Sequence, residues 1–204
     1  MKAPALALTS HILYLHGFRS SPLSFKARLL HAWLQRHAPA VTWCCPQLPP
    51  SPREAWELMR ASVRGWPMQS MAVLGSSLGG FYATALAEHA GCRAVVLNPA
   101  VQPARDLVHY VGEQTAYHDP AAHFEFKAQY IDELRALTPS RLQHPERYAA
   151  IIAKGDELLD WREMSARYAG ARIKLLEGGD HALSDFEQHL DFVLGFLELQ
   201  PAPR

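Results

Sequence analysis

The run Met71-Ala72-Val73-Leu74-Gly75-Ser76-Ser77-Leu78-Gly79-Gly80 restricts what this chain can become more than any other stretch. A short apolar segment ends in Gly-x-Ser-x-Gly, and a helix-like sequence follows over 78–89. Strand, sharp turn and helix in that order put Ser77 at the apex, in a strained backbone conformation. Strand and helix then come so close that the positions two before and two after the serine cannot carry bulk. Gly75 and Gly79 occupy them, with Gly80 as further slack. Such a turn lifts the hydroxyl out of the sheet edge and points the Leu78 N–H at whatever carbonyl the serine attacks. The non-catalytic alternative is an ordinary Gly/Ser turn in a βα unit.

The remaining chain repeats the strand–helix alternation. Residues 11–15, 41–45, 93–97, 148–153 and 172–176 read as further short strands. Ser20, Ser21 and Pro22 give start signals for a first helix, with Leu29, Leu30, Trp33 and Leu34 on one face. Ser51-Pro52-Arg53-Glu54 opens a second helix with a serine cap, a first-turn proline and a glutamate three residues on. Asp160-Trp161-Arg162-Glu163 opens another. Ser184-Asp185-Phe186-Glu187 reads as a capping box for a last helix lined by Phe186, Leu190, Val193 and Leu197. Short strands alternating with amphipathic helices predict right-handed crossovers. The expected fold class is α/β, a mostly parallel sheet of about six strands with helices on both faces.

Between residues 100 and 145 the alternation is lost. Aromatics and histidines gather there, and helices are expected over 104–111 and 128–137. A long insertion at the carboxyl side of such a sheet is where a small lid or pocket wall sits. His109, His118 and His123 are weighed as metal ligands. Their spacing matches no recognised ligand pattern and no cysteine joins them, so partly exposed pocket or surface histidines are preferred.

Composition limits the rest. The 204 residues suffice for one domain over 1–204, and no linker, charge block or repeat divides them. Lys+Arg and Asp+Glu are both 20, so the zero net charge offers no footprint for nucleic acid or an anionic membrane. No apolar run is long enough to span a bilayer. The opening residues 1–8 faintly resemble a signal peptide, but their apolar stretch is too short and a strand follows at once. Cys44, Cys45 and Cys92 are an odd count without metal spacing, consistent with small core residues in a reducing cytoplasm.

In an open parallel sheet, functional loops collect at the carboxyl ends of the strands. Three of those loops carry Ser77, Asp156 and His181, in that chain order. A serine hydroxyl needs a base within reach, and the base needs a partner that fixes its tautomer. Ser, Asp, His is the order expected of an α/β-hydrolase triad. Asp160 also lies near the fifth strand, but capping explains it, and Asp106 has only its position in its favour. His16 rivals His181 as base. It sits in His-Gly after the first strand, where its neighbour Phe18 would supply a second oxyanion N–H beside that of Leu78. A loop-shaping role suits His16 better, and His181 follows Gly178-Gly179 where the base of this order belongs.

Leu15-His16-Gly17-Phe18 with Ser20-Ser21-Pro22, Pro46-Gln47-Leu48-Pro49-Pro50 and the Ser77 turn resemble the YqiA-like esterases of the α/β-hydrolase superfamily. So do Asn98-Pro99-Ala100-Val101, Gly155-Asp156-Glu157-Leu158-Leu159-Asp160 and Gly178-Gly179-Asp180-His181-Ala182. The resemblance spans nearly the whole chain, leaving 113–147 individual. It implies an α/β-hydrolase fold with a small cap, and a serine esterase acting on small-molecule acyl esters or thioesters. It implies Ser77, Asp156 and His181 as triad, Phe18 and Leu78 as backbone oxyanion donors, and neither metal nor organic cofactor. An acyl-CoA thioesterase is the nearest alternative, with Arg19 and Lys26 at the pocket mouth as phosphate contacts. A non-catalytic ligand-binding protein on the same fold is the alternative outside enzymes.

Overall fold

The computed structural model describes residues 8–199. The strands are β1 (His11–Leu15), β2 (Thr42–Cys44), β3 (Met71–Ser76), β4 (Arg93–Leu97), β5 (Gly112–Thr115), β6 (His123–Phe126), β7 (Tyr148–Ala153) and β8 (Arg172–Leu176). All but β5 and β6 form one six-stranded sheet in the order β2-β1-β3-β4-β7-β8, every pair parallel. The helices are α1 (Phe25–His37), α2 (Pro52–Ser62), α3 (Leu78–Ala90), α4 (Pro103–Asp106), α5 (Gln129–Leu137), α6 (Trp161–Arg167) and α7 (Leu190–Phe196). No helix among the described residues is long and apolar enough to cross a membrane.

The central strands are buried on both faces, which is why β3, β4 and β7 read as near-continuous apolar runs. Alternate side chains serve two cores. Leu13, Leu15, Val73 and Ile152 meet α2, α3, α5 and α6 on one face. Ile12, Tyr14, Leu74 and Ile151 meet α1 and α7 on the other. Strand order reverses direction at β1 and β3, because β1 leads outward to β2 while β3 leads toward β4, β7 and β8. The carboxyl ends of β1 and β3 therefore flank the crevice where such sheets bind ligands.

Local chemistry departs from the sequence expectations in three places. The first helix begins at Phe25, not near Ser20. The Ser21 hydroxyl accepts from the Leu23 N–H at 3.2 Å and the Ser21 carbonyl from the Ser24 N–H at 3.0 Å, so its cap-like chemistry builds a turn ahead of the helix. Region 100–145 holds an antiparallel hairpin, β5–β6, that its polar Gly-Glu-Gln-Thr strand does not advertise. The helix expected over 104–111 is the short α4 followed by a 3₁₀ turn at Val108–Tyr110, while α5 falls where expected. Ser184 does not cap the last helix. Its hydroxyl donates to Asp180 at 2.7 Å, the chain from Phe186–His189 is 3₁₀, and α7 starts at Leu190. By contrast Ser51 and Asp160 cap α2 and α6 with their side chains, as their spacing predicts.

Candidate active site

Ser77 sits between β3 and α3 with φ 56° and ψ −121°, a conformation that non-glycine residues rarely adopt. The turn is held by its own backbone. The Ser77 N–H donates to the Leu97 carbonyl at 3.0 Å, and the Ser77 carbonyl accepts from the N–H groups of Gly80 and Ala100 at 2.9 and 3.0 Å. The glycines are required by contact distance. A Cβ on Gly75 would lie 2.0 Å from the Gly79 carbonyl oxygen, and one on Gly79 the same distance from that of Leu15. The close approach inferred from Gly-x-Ser-x-Gly is thus literal.

His181 Nε2 stands 2.9 Å from the Ser77 hydroxyl oxygen, and His181 Nδ1 stands 2.8 Å from Asp156 Oδ2. A carboxylate only accepts, so Nδ1 carries the proton and Nε2 is left to accept from the serine. The Asp156 side chain is fully buried and that of His181 is 18 % exposed, so of the two only the imidazole keeps a path to the cavity. Asp156 is oriented by its second oxygen, which accepts from the N–H groups of Leu158 and Leu159, both at 2.8 Å. The β7 and β8 loops meet backbone to backbone. The Gly155 N–H donates to the Gly178 carbonyl at 3.3 Å, and a Cβ on Gly155 would lie 2.3 Å from the Gly179 oxygen.

Two groups that sequence reasoning passed over hold His181 in place. Asn98, fully buried and at φ 40°, donates to the carbonyls of Asp180 and His181 at 2.9 and 3.2 Å and accepts from the Ala153 N–H at 2.8 Å. It ties the end of β4 to the β7 and β8 loops at once. Glu157 accepts from the His181 N–H at 3.0 Å. The signal for Asn98 is an amide immediately before proline at the carboxyl end of a strand, within a motif legible in sequence only as part of the family resemblance.

The β1 loop completes the constellation. Gly17 packs on the serine turn, with space for a Cβ only 3.3 Å from the Ser76 oxygen and the Ser77 Cβ. Among the described residues, neither the Phe18 nor the Leu78 N–H donates to a protein acceptor. His16 does not bond Ser77. Its Nε2 accepts from the Leu48 N–H at 3.0 Å, which leaves Nδ1 to donate to the Gly17 carbonyl at 2.9 Å. Burial pushes its pKa down to about 4, so His16 is neutral and locks the loop.

The other candidates are accounted for separately. Asp160 accepts from the Arg162 N–H at the start of α6, and Asp106 pairs with Arg105 at 2.8 Å. Arg19 donates to the Thr115 carbonyl at 2.6 Å and lies over the Tyr117 ring at 4.3 Å, tying the β1 loop to the hairpin. Lys26 donates to the Ala182 carbonyl beside His181. Among the described residues no group of three or more His, Cys, Asp and Glu side chains could hold a metal ion, so His109, His118 and His123 do not form one.

Ser77 and His181 open on a cavity of about 280 Å³ whose apolar wall includes Phe18, Leu78, Pro103, Leu107, Tyr110 and Leu159. A second cavity of about 490 Å³ lies across Phe18, under the hairpin, with His118 and His123 in its wall. Of region 100–145, Pro103, Leu107, Tyr110 and Tyr117 line the first cavity. The Phe18 ring packs edge-on against Tyr110, Phe124 and Phe126.

The sheet order, the serine turn and the loop placement are those of the α/β-hydrolase fold. The chain superimposes on alpha/beta hydrolase domain-containing protein 10 from mouse with a TM-score of 0.69 at 14 % identity, covering 93 % of this chain and 91 % of that one. An α/β-superfamily hydrolase from Xanthomonas campestris pv. campestris gives 0.58 at 19 % identity, over 93 % and 97 % of the two chains. Est1E from Butyrivibrio proteoclasticus gives 0.66 at 12 % identity, over 94 % and 89 %. Within that fold the chain belongs to the uncharacterised protein family UPF0227, the YqiA family, whose model matches residues 11–198.

Proposed function

We propose that this protein is a serine esterase that hydrolyses carboxylic acyl esters through Ser77, His181 and Asp156 and an acyl-enzyme intermediate. Support comes first from the hydrogen-bonded chain Ser77 Oγ to His181 to Asp156, at 2.9 and 2.8 Å, built on a serine at φ 56°. Solved structures of the same fold include proteins described as hydrolases and as an esterase.

Neutral His181 removes the Ser77 proton as Oγ attacks the ester carbonyl. Negative charge develops on the carbonyl oxygen, where the Phe18 and Leu78 N–H groups donate to it. Nε2–H then protonates the leaving oxygen, Asp156 stabilising the imidazolium. The acyl group stays on Ser77 until water, deprotonated by the same nitrogen, releases it as the acid. The apolar wall of Phe18, Leu78, Leu107 and Tyr110 suits an acyl chain rather than a charged acid.

The test is fluorophosphonate labelling of the wild type and Ser77→Ala, read by intact mass. One adduct on the wild type and none on the variant is expected. No adduct on either folded protein would move the non-catalytic binding role ahead. Matched oxygen esters and acyl-CoA thioesters then separate esterase from thioesterase. The engagement of Arg19 with Thr115 and Tyr117 favours the oxygen esters.

A further inference from the structure

A second set of polar groups reaches the same cavity beside His181, and the steps above use none of it. The Tyr14 ring is 0 % exposed, yet its hydroxyl has no hydrogen-bond partner among the described residues. The Ser24 hydroxyl is likewise buried and makes no hydrogen bond of good geometry, although it lies close enough to the Tyr14 hydroxyl to interact with it. Ser24 is the N-cap of the 13-residue helix α1, but its side chain caps nothing. The N–H groups of Phe25, Lys26 and Ala27 consequently lack an acceptor within the helix, and the positive end of α1 faces the carboxyl edge of the sheet. Lys26 donates one proton to the Ala182 carbonyl and keeps further donors. Burial holds the Lys26 pKa down to about 8, with Asp180 pulling it partly back. Tyr14, Ser24, Lys26 and Ala182 all line the cavity that holds Ser77 and His181. The carboxylate on that lining, Asp106, is paired with Arg105.

Each of these groups is a donor or a source of positive potential, and buried hydroxyls are normally satisfied. What complements them together is an acceptor bearing negative charge. We propose that Tyr14, Ser24, Lys26 and the first turn of α1 form a subsite for an anionic group, a carboxylate or a phosphate, carried on the leaving half of the ester. The assignment rests on the esterase role of Ser77 and His181. Of the substituents on the attacked carbon, the oxygen turns to the Phe18 and Leu78 N–H groups and the leaving oxygen to His181 Nε2. Lys26, on the carbonyl of the residue after His181, borders the leaving half, and the apolar wall is left for the acyl chain.

The test compares butyrate esters of 3-hydroxypropanoate, 3-hydroxypropyl phosphate and 3-hydroxypropanamide. The expected kcat/KM for an anionic ester exceeds that for the amide by about tenfold, the scale of one charge-assisted hydrogen bond. The carboxylate and phosphate arms decide between those two groups. Lys26→Met and Tyr14→Phe should each bring the ratio toward one, while Arg28→Met, on the exposed side of α1, should leave it unchanged. A ratio near one in the wild type, a ratio retained in Lys26→Met, or a preference that follows charge on the acyl half would overturn the subsite. Calorimetric binding of the same esters to Ser77→Ala reads the subsite without turnover. If the wild type neither hydrolyses nor labels while Ser77→Ala still binds the anionic ester about tenfold tighter, the esterase role fails and the subsite stands. Hydrolysis of all three at equal kcat/KM gives the reverse.

Discussion

Asp156 offers its two oxygens to different tasks, one to the Leu158 and Leu159 N–H groups and one to His181 Nδ1. An amide at this position keeps the shape but can present an NH₂ to Nδ1 and favour the wrong tautomer. Asp156→Asn should therefore fold normally and lower kcat about 10³- to 10⁴-fold, measured by stopped assay on a short-chain ester. In the proposed reaction Asn98 would act at one remove, as a positioning residue. Its amide holds the Asp180 and His181 carbonyls, and its oxygen holds the Ala153 N–H. Asn98→Asp retains an acceptor for Ala153 but sets a carboxylate against two carbonyl oxygens. We expect kcat to fall about 10- to 100-fold, the scale of a roughly 1 Å misplacement, with KM changed only a few-fold. A lowered melting temperature with kcat intact would mean that Asn98 only supports the fold.

The elements that shape the cavity are the least regular ones. The β5–β6 hairpin carries Phe124 and Phe126 onto Phe18, whose own N–H is an oxyanion donor in the proposed reaction. The hairpin is thus linked to the chemistry through one aromatic ring. Phe126 is 1 % exposed and also meets Tyr130 at the start of α5, so the contact joins hairpin, helix and site. Phe126→Ala should destabilise the protein by about 3–5 kcal/mol through lost burial and a residual cavity. Urea unfolding checks the stability. Because Phe18 loses its support, KM for butyrate esters should rise as well; an unchanged KM in the folded variant would detach the hairpin from the site.

At the scale of the molecule, the site is the place where five chain segments converge at one sheet edge, and a buried neutral histidine is part of its frame. The His16 pKa lies near 4 when folded, against about 6.5 in an unfolded chain. Between those values the unfolded chain binds more protons, so stability is complete above about pH 6.5 and is lost as pH falls toward 4. The loss amounts to about 3 kcal/mol for this one group. His16→Gln should be less stable at pH 7 because the Leu48 and Gly17 bonds are disturbed, yet should lose less further stability on acidification. Denaturant melts at pH 7 and pH 5 compare the two slopes; equal slopes would remove His16 as the source.

Much of this was legible in the linear chain. The strands β1, β3, β4 and β7 coincide with apolar runs, because a parallel strand buried on both faces cannot be polar; β8, at the sheet edge, is partly exposed and carries Arg172 and Lys174. The Gly-x-Ser-x-Gly turn was legible because the contact that forbids a Cβ on Gly75 lies within a few residues of the serine, although the one that forbids it on Gly79 comes from Leu15 in β1. Ser77, Asp156 and His181 could be singled out as loop residues by strand order alone, but not their separations. The rest depends on neighbours distant in sequence. Whether Ser21 or Ser184 caps a helix was decided by competing partners, the Leu23 N–H for one and Asp180 for the other. The β5–β6 hairpin takes its place from Phe18, more than ninety residues earlier, as its contacts with Phe124 and Phe126 show. The hydrogen bonds of Asn98 and the burial of the Tyr14 hydroxyl are visible only in three dimensions. A side chain's worth to a site depends on which donors and acceptors surround it, and local sequence does not record them.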